Sequence, residues 1–205
     1  MDNYEISRDR AQTYFLGFDQ QAIIDAWGLQ WDDGFLYVRF LGRPYAIHRK
    51  TGKITRQFDG KQADFNEVLS IFDLLCHESP EKRISGQFAP VNSLKGGPKA
   101  GGVPTDFHTA AARRFDRDPE GFARACLALS GTKVDMGDLG FRIPVFGDLS
   151  VILKFYRSDE EFPASLTLLW DDNILSFIYY ETVFYIAGFL LSSIQELMES
   201  PNTHE

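Results

Sequence analysis

Cysteine is nearly absent, with two in 205 residues. Two thiols cannot build a disulfide framework or, unaided, a four-thiolate zinc or iron–sulfur site. The four histidines show no His-x-x-x-His spacing, and no Gly-x-Ser-x-Gly elbow or Gly-Lys-Ser/Thr phosphate loop occurs. The expectation is therefore no metal and no cofactor. Positive charge is scarce too: 21 Lys and Arg against 29 Asp and Glu leave a net charge of -8. That excludes a nucleic-acid or anionic-membrane surface over most of the chain. The most apolar stretch, Phe177 to Ile194, is interrupted by Glu181. From Glu181 onward, Val183, Phe184, Ala187, Leu190, Leu191, Ile194, Leu197 and Met198 recur at spacings of 3 and 4. This predicts an amphipathic core helix, not a membrane span. Met1 to Glu5 carries neither a basic nor an apolar leader pattern, and with so few cysteines a cytoplasmic location is expected.

What the chain has in quantity is aromatic: 18 Phe, 8 Tyr and 3 Trp. Residues 1–60 hold 11 rings, 61–140 hold 6 and 141–205 hold 12. Between Lys82 and Arg124 the charge balance is +4, with Gly and Pro concentrated in Lys95 to Pro104, so the rest of the chain sums to -12. A single domain over 1–205 is expected, its core built by the two ring-rich ends, with a basic, Gly-rich middle at 82–124.

The elements read as follows. Ala11, Tyr14, Phe15 and Phe18 predict a helix broken by Gly17, and Asp19 caps a second one that Gly28 ends. Residues 35–40, 44–48 and 53–56 predict an antiparallel meander. Asp64 and Glu67 form a capping box for a helix burying Phe65, Val68, Leu69, Phe72 and Leu75. A loop covers about 78–104, and Thr105 can cap the helix after it. Asp118 and Pro119 open a further helix that Gly131 closes, with Phe122, Ala125, Cys126 and Leu129 on one face. Strands return at 141–146, where Pro144 suggests an edge, and at 151–156 and 164–170. The fold class is α+β, with an antiparallel or mixed sheet expected to join both strand sets and pack with helices, two lobes being the alternative.

Two segments carry candidate chemistry. Lys95, Gly96, Gly97 and Lys99, with Arg113 and Arg114 downstream, offer free amides and cations of the kind that hold an anion; the plain alternative is a surface loop. Asp159, Glu160 and Glu161 place three carboxylates between two strands, and Asp171 and Asp172 are further oxygen donors. Consecutive residues cannot all aim at one point, so a solvated hairpin loop anchored by Phe162 and Pro163 is expected there. Cys76-His77-Glu78 are adjacent and point in different directions, which argues against a Cys–His catalytic pair. Cys126 reads as a small core residue.

The segment from Gly147 to Leu191 is the most specific in the chain. Its strand, Asp159-x-Glu161-Phe162-Pro163-Ala164 loop, hydrophobic strand ending Trp170-Asp171, and Glu181-initiated apolar helix resemble a prokaryotic family of unknown function met mostly in anaerobes. Phe40-Leu41-Gly42-Arg43-Pro44-Tyr45 matches that family's hairpin, and Gly86-Gln87-Phe88 with Gly96-Gly97 falls at its Gly-rich middle loop. Tyr156, Trp170 and Tyr180 depart from its usual residues. Some relatives of this kind carry a cysteine-rich iron–sulfur module, for which this chain has no residues. The resemblance implies identity without a mechanism.

The functional expectation is a non-catalytic, cytoplasmic binding or accessory domain. Its ligand surface would combine Lys95, Gly96, Gly97, Lys99, Arg113 and Arg114 with Asp159, Glu161 and Glu181. It would take a small anionic or zwitterionic ligand or a protein partner, and neither nucleic acid nor membrane. The alternative is an enzyme using Asp159, Glu161 or Glu181 as acid/base or magnesium ligand. Convergence of Asp159, Glu161, Asp171 and Glu181 in one pocket would favour the enzyme; dispersal would favour binding. Oligomeric state is not legible.

Overall fold

The computed structural model of the protein describes residues 3–80, 82–98 and 106–199. Two helices open it, α1 (Asn3–Leu16) and α2 (Gln20–Trp27). The Asp19 carboxylate accepts the N–H groups of Gln21 and Ala22, which no carbonyl inside α2 can reach. Gly28 closes α2 in the left-handed conformation at φ +61°. The first sheet then runs in chain order: β1 (Gln30–Trp31), β2 (Phe35–Phe40), β3 (Arg43–His48) and β4 (Ile54–Arg56), all antiparallel. The meander is as expected from the sequence, but β1 is not. Asp32 makes the turn before β2 by accepting from Gly34 and Phe35, and this turn pairs Trp31 with Leu36.

Helix α3 (Phe65–Cys76) begins with the expected capping box, both of whose hydrogen bonds form. The same Glu67 is fully buried and does more than cap. Tyr45 donates its hydroxyl to it at 2.7 Å, and the Arg56 guanidinium grips both its oxygens. One carboxylate thus ties α3 to β3 and β4. Removing one partner of such a buried pair costs about 3–5 kcal/mol.

Inside the stretch expected to be loop lies β5 (Phe88–Pro90), followed by α4 (Asp106–Arg117) and α5 (Pro119–Ala128). Three residues ending in proline carry no alternation to read; β5 exists because β9 offers it an edge. Thr105 lies outside the described residues. In α5, Asp118 accepts from the Gly121 N–H at 2.8 Å with Pro119 at the first helical position, as expected. Its end differs in detail: Ser130, at φ +60°, is the left-handed residue. Gly131 donates back to the Cys126 carbonyl at 2.9 Å, and a Cβ there would lie 2.5 Å from that same oxygen.

The second sheet comprises β6 (Thr132–Val134), β7 (Leu139–Phe146), β8 (Leu149–Tyr156) and β9 (Ser165–Asp171), and α6 (Tyr180–Glu199) follows. Its spatial order is β5-β9-β8-β7-β6, antiparallel throughout. The fold is thus α+β with antiparallel sheets, yet the two strand sets form two sheets rather than one. They meet where Leu41 donates to the Val145 carbonyl at 3.0 Å, and Leu41 and Gly42, both at positive φ, turn the chain away immediately after. Pro144 has an edge position although β7 is an inner strand: β6 pairs only with Gly140 to Arg142 and stops short of it, and a register shift follows before Phe146.

Helix α6 packs against α3 and α5 and is buried on more than one stripe, Thr182, Phe189 and Ser193 included. The expected stripe is therefore too narrow, and its Phe184, Leu197 and Met198 are only half-buried. Among the described residues no helix is long and apolar enough to cross a membrane. A continuous hydrophobic cluster runs from Phe15 to Ile194 and includes residues of both sheets.

Candidate functional site

The residues singled out in the sequence are distributed over several places. Asp159 and Glu161 stay in an exposed loop, where Asp159 accepts the N–H groups of Phe162 and Glu161 at 2.7 and 2.8 Å. Those bonds, Phe162's foremost, hold its carboxyl below the usual range. The loop is fastened to α4 by Ser158, which donates its hydroxyl and its N–H to Asp116. Asp171 is at the other end of the seven-residue β9, about 20 Å away at strand rise. It is buried and accepts from the N–H groups of Ser85, Gly86 and Asn173, a structural role that pins the 85–87 segment. Lys95 pairs with Asp172 at 2.8 Å and draws that carboxyl down. Arg114 pairs with Glu199 at 2.9 Å, and Arg113 is exposed on α4. Gly96 is at φ +80°, and a Cβ on Gly97 would lie 3.7 Å from Leu175 and Tyr180, beside Glu181. Lys99 lies outside the described residues. So Gly97 comes near Tyr180 and Lys95 meets Asp172, while the Asp159–Glu161 loop sits apart from both. Among the described residues no three His, Cys, Asp or Glu side chains gather as a metal site.

Glu181 instead lines a cleft of about 290 Å³ between α1, α3 and α6. Helix α3 contributes Leu69, Phe72, Asp73 and Cys76, whose spacings of 3 and 4 put them on one face, with His77 at its C-terminus. From α1 come Ala11 and Tyr14 at the same spacing, and from the start of α6 come Tyr179, Glu181, Thr182 and Tyr185. Most of the wall is apolar or aromatic. Tyr14 and Tyr179 are more than half exposed, at 56% and 62%, which places these rings at the mouth. The Tyr179 ring meets His77 edge-on at 4.7 Å, and Tyr185 meets Phe65 at 5.7 Å.

The polar part of the cleft is a clasp between helices. Asp73 Oδ2 accepts the Tyr179 N–H at 2.8 Å and the Thr182 hydroxyl at 2.5 Å, so a carboxylate of α3 caps the N-terminus of α6. Its Oδ1 stands 3.4 Å from His77 Nδ1, and both side chains are about nine-tenths buried. Burial raises the Asp73 pKa, with the bonds from Thr182 and Tyr179 and the neighbouring His77 opposing it. Burial, then Asp73, pushes the Cys76 thiol up to about 12. The thiol therefore stays protonated and is no nucleophile at neutral pH, despite its neighbour His77. Tyr14 is raised as well, by desolvation first and then by Tyr179, Cys76, Glu78 and Asp73. The lining contains two carboxylates and neither Lys nor Arg. Such a wall can hold a compact organic molecule by its apolar body and its donors.

Sequence reasoning reached Glu181 and considered Cys76 and His77, but passed over Tyr14, Asp73, Tyr179, Thr182 and Tyr185. The one local signal was Asp73-x-x-Cys76-His77, which puts acid, thiol and imidazole within a helical turn. No curated protein and no solved structure matches the chain. A family model described as Domain of unknown function (DUF3786) matches residues 19–193, from the cap of α2 into the last turns of α6, and the chain belongs to that family.

Proposed function

We propose that this protein is a non-catalytic, cytoplasmic binding domain whose α1–α3–α6 cleft takes a small organic ligand. The observation that carries the reading is the cleft itself: an aromatic and apolar hollow of about 290 Å³ with one polar cluster in its wall. That volume is close to the lower bound for small-molecule sites, so the ligand is of metabolite size. The carboxylates on which acid/base or magnesium chemistry would depend lie apart, and the cleft's thiol is held neutral, both of which favour binding over catalysis. Two free, buried cysteines suit a reducing compartment. The anion expected from the 95–104 loop is a poorer match to this cleft than a neutral, zwitterionic or cationic molecule, because the charges on its lining are negative.

The test is ligand-detected NMR of the full chain with a library of small aromatic fragments. Binders should shift the amides of Asp73, Cys76, Tyr179 and Thr182, and those shifts should vanish in Ala11→Trp, which fills the mouth. A library that yields no binder, or only binders that perturb residues elsewhere, would overturn the reading.

A further inference from the structure

The cleft's lining holds two carboxylates and neither lysine nor arginine, although Lys82 acts on Asp73 and Cys76 from beside it. His77 Nδ1 is buried without a hydrogen-bond partner in a side chain about nine-tenths buried, and the ring lines the cleft. Asp73 Oδ1 is 3.4 Å away, beyond the usual range for a nitrogen–oxygen hydrogen bond. Asp73 has only its Oδ2 engaged by strong donors, from Tyr179 and Thr182. Glu181 adds a second carboxylate at the exposed start of α6. Around these stand the rings of Tyr14, Tyr179 and Tyr185, whose faces carry negative potential. Two carboxylates and three π-faces in one lining, with neither lysine nor arginine among them, suit a cation that donates hydrogen bonds.

We infer that the ligand of this cleft is an organic amine bound as its ammonium ion, its nitrogen directed at Asp73 and Glu181 and its apolar body against Leu69, Phe72 and Cys76. This rests on the binding reading above and adds the ligand's chemical class. A primary or secondary ammonium is favoured over a quaternary one, because it alone supplies N–H donors to Asp73. The tyrosine rings stabilise the same charge without desolvating it fully. A carboxylate of equal shape would face two anions in a partly buried setting, and an alcohol would leave the charge of the wall unanswered.

The experiment compares three probes of nearly equal shape against the full chain: phenethylamine, 3-phenylpropionate and 2-phenylethanol. Affinity is read by calorimetry and position by amide shifts. The amine should bind at least tenfold more tightly than the alcohol, the carboxylate weakest of all, and Glu181→Gln and Asp73→Asn should each cost the amine severalfold or more while leaving the alcohol unchanged. Glu181 is exposed, so its variant keeps the comparison valid should Asp73→Asn loosen α6. If the alcohol or the carboxylate binds at the cleft as tightly as the amine, the inference fails and the binding reading survives. If no probe moves the cleft amides, this inference falls, and the fragment library decides the binding reading on its own.

Discussion

At Asp73, burial competes with the donors of Tyr179 and Thr182 and with His77, and burial prevails, leaving its pKa above the ordinary 3.8. The folded protein thus keeps a proton over a pH window in which the unfolded chain has released it. Within that window, from the ordinary value up to the folded one, this group makes stability fall as pH rises; above it the effect is constant. Asp73→Asn retains an oxygen for Tyr179 and Thr182 and cannot titrate. It also retains the groups around it: His77, Cys76, Glu78, Lys82, Glu181 and the three tyrosines. Urea denaturation of both proteins from about pH 4 to pH 7 should show the wild type losing stability relative to the variant as pH rises. Parallel pH profiles would mean that burial does not dominate. Glu67 shows how far one residue's role can outrun its local signal. Its capping box is visible as Asp64-x-x-Glu67, whereas its bonds to Tyr45 and Arg56 need β3 and β4 folded beside it.

Between elements, the narrowest approach is at the β2–β3 turn. Gly42 is at φ +73°, and a Cβ there would stand 2.2 Å from the Leu129 carbonyl oxygen at the end of α5. Both elements would have to separate to admit a methyl group, since the obstacle is backbone. Gly42→Ala is expected to cost about 2–4 kcal/mol, a fall in melting temperature of roughly 4–16 °C for a chain of this size. Gly60→Ala supplies the comparison, because Gly60 is at φ +72° with nothing within 4 Å. It should lose only the left-handed preference, about 1 kcal/mol. Equal melting of the two variants would show that the α5 contact adds nothing. The same turn is where the two sheets meet through Leu41 and Val145, so the glycine serves the junction as well as the hairpin.

For the molecule as a whole, two sheets share a continuous core, with α6 packed among the helices beside them. Trp27 illustrates the sharing: it ends α2, next to the first sheet, and its ring packs edge-on against Phe146 of the second at 4.8 Å. Such a core has no seam along which one sheet could open alone, so unfolding should be one cooperative step. Trp27→Phe with Trp31→Phe leaves Trp170 of β9, 1% exposed, as the reporter of the second sheet. Its fluorescence midpoint in urea should coincide with the far-ultraviolet circular dichroism midpoint. Separate midpoints would show that the sheets unfold independently.

The sequence by itself determined what depends on neighbours along the chain: the caps at Asp19, Asp64 and Asp118, the meander of β2 to β4, the strands β7 to β9 and the apolar helix α6. Each rests on spacing or on a side chain reaching its own backbone, physics that acts within a few residues. Only the tertiary structure decided that there are two sheets, that β5 takes the edge of β9, and that Asp73 clasps the start of α6. These contacts join residues about a hundred positions apart in the Asp73 case, where no local propensity distinguishes a partner from a bystander. The candidate site is mostly of this second kind. Its α3 face was legible as helix, but its role as one wall of a cleft arose only when α1 and α6 packed around it.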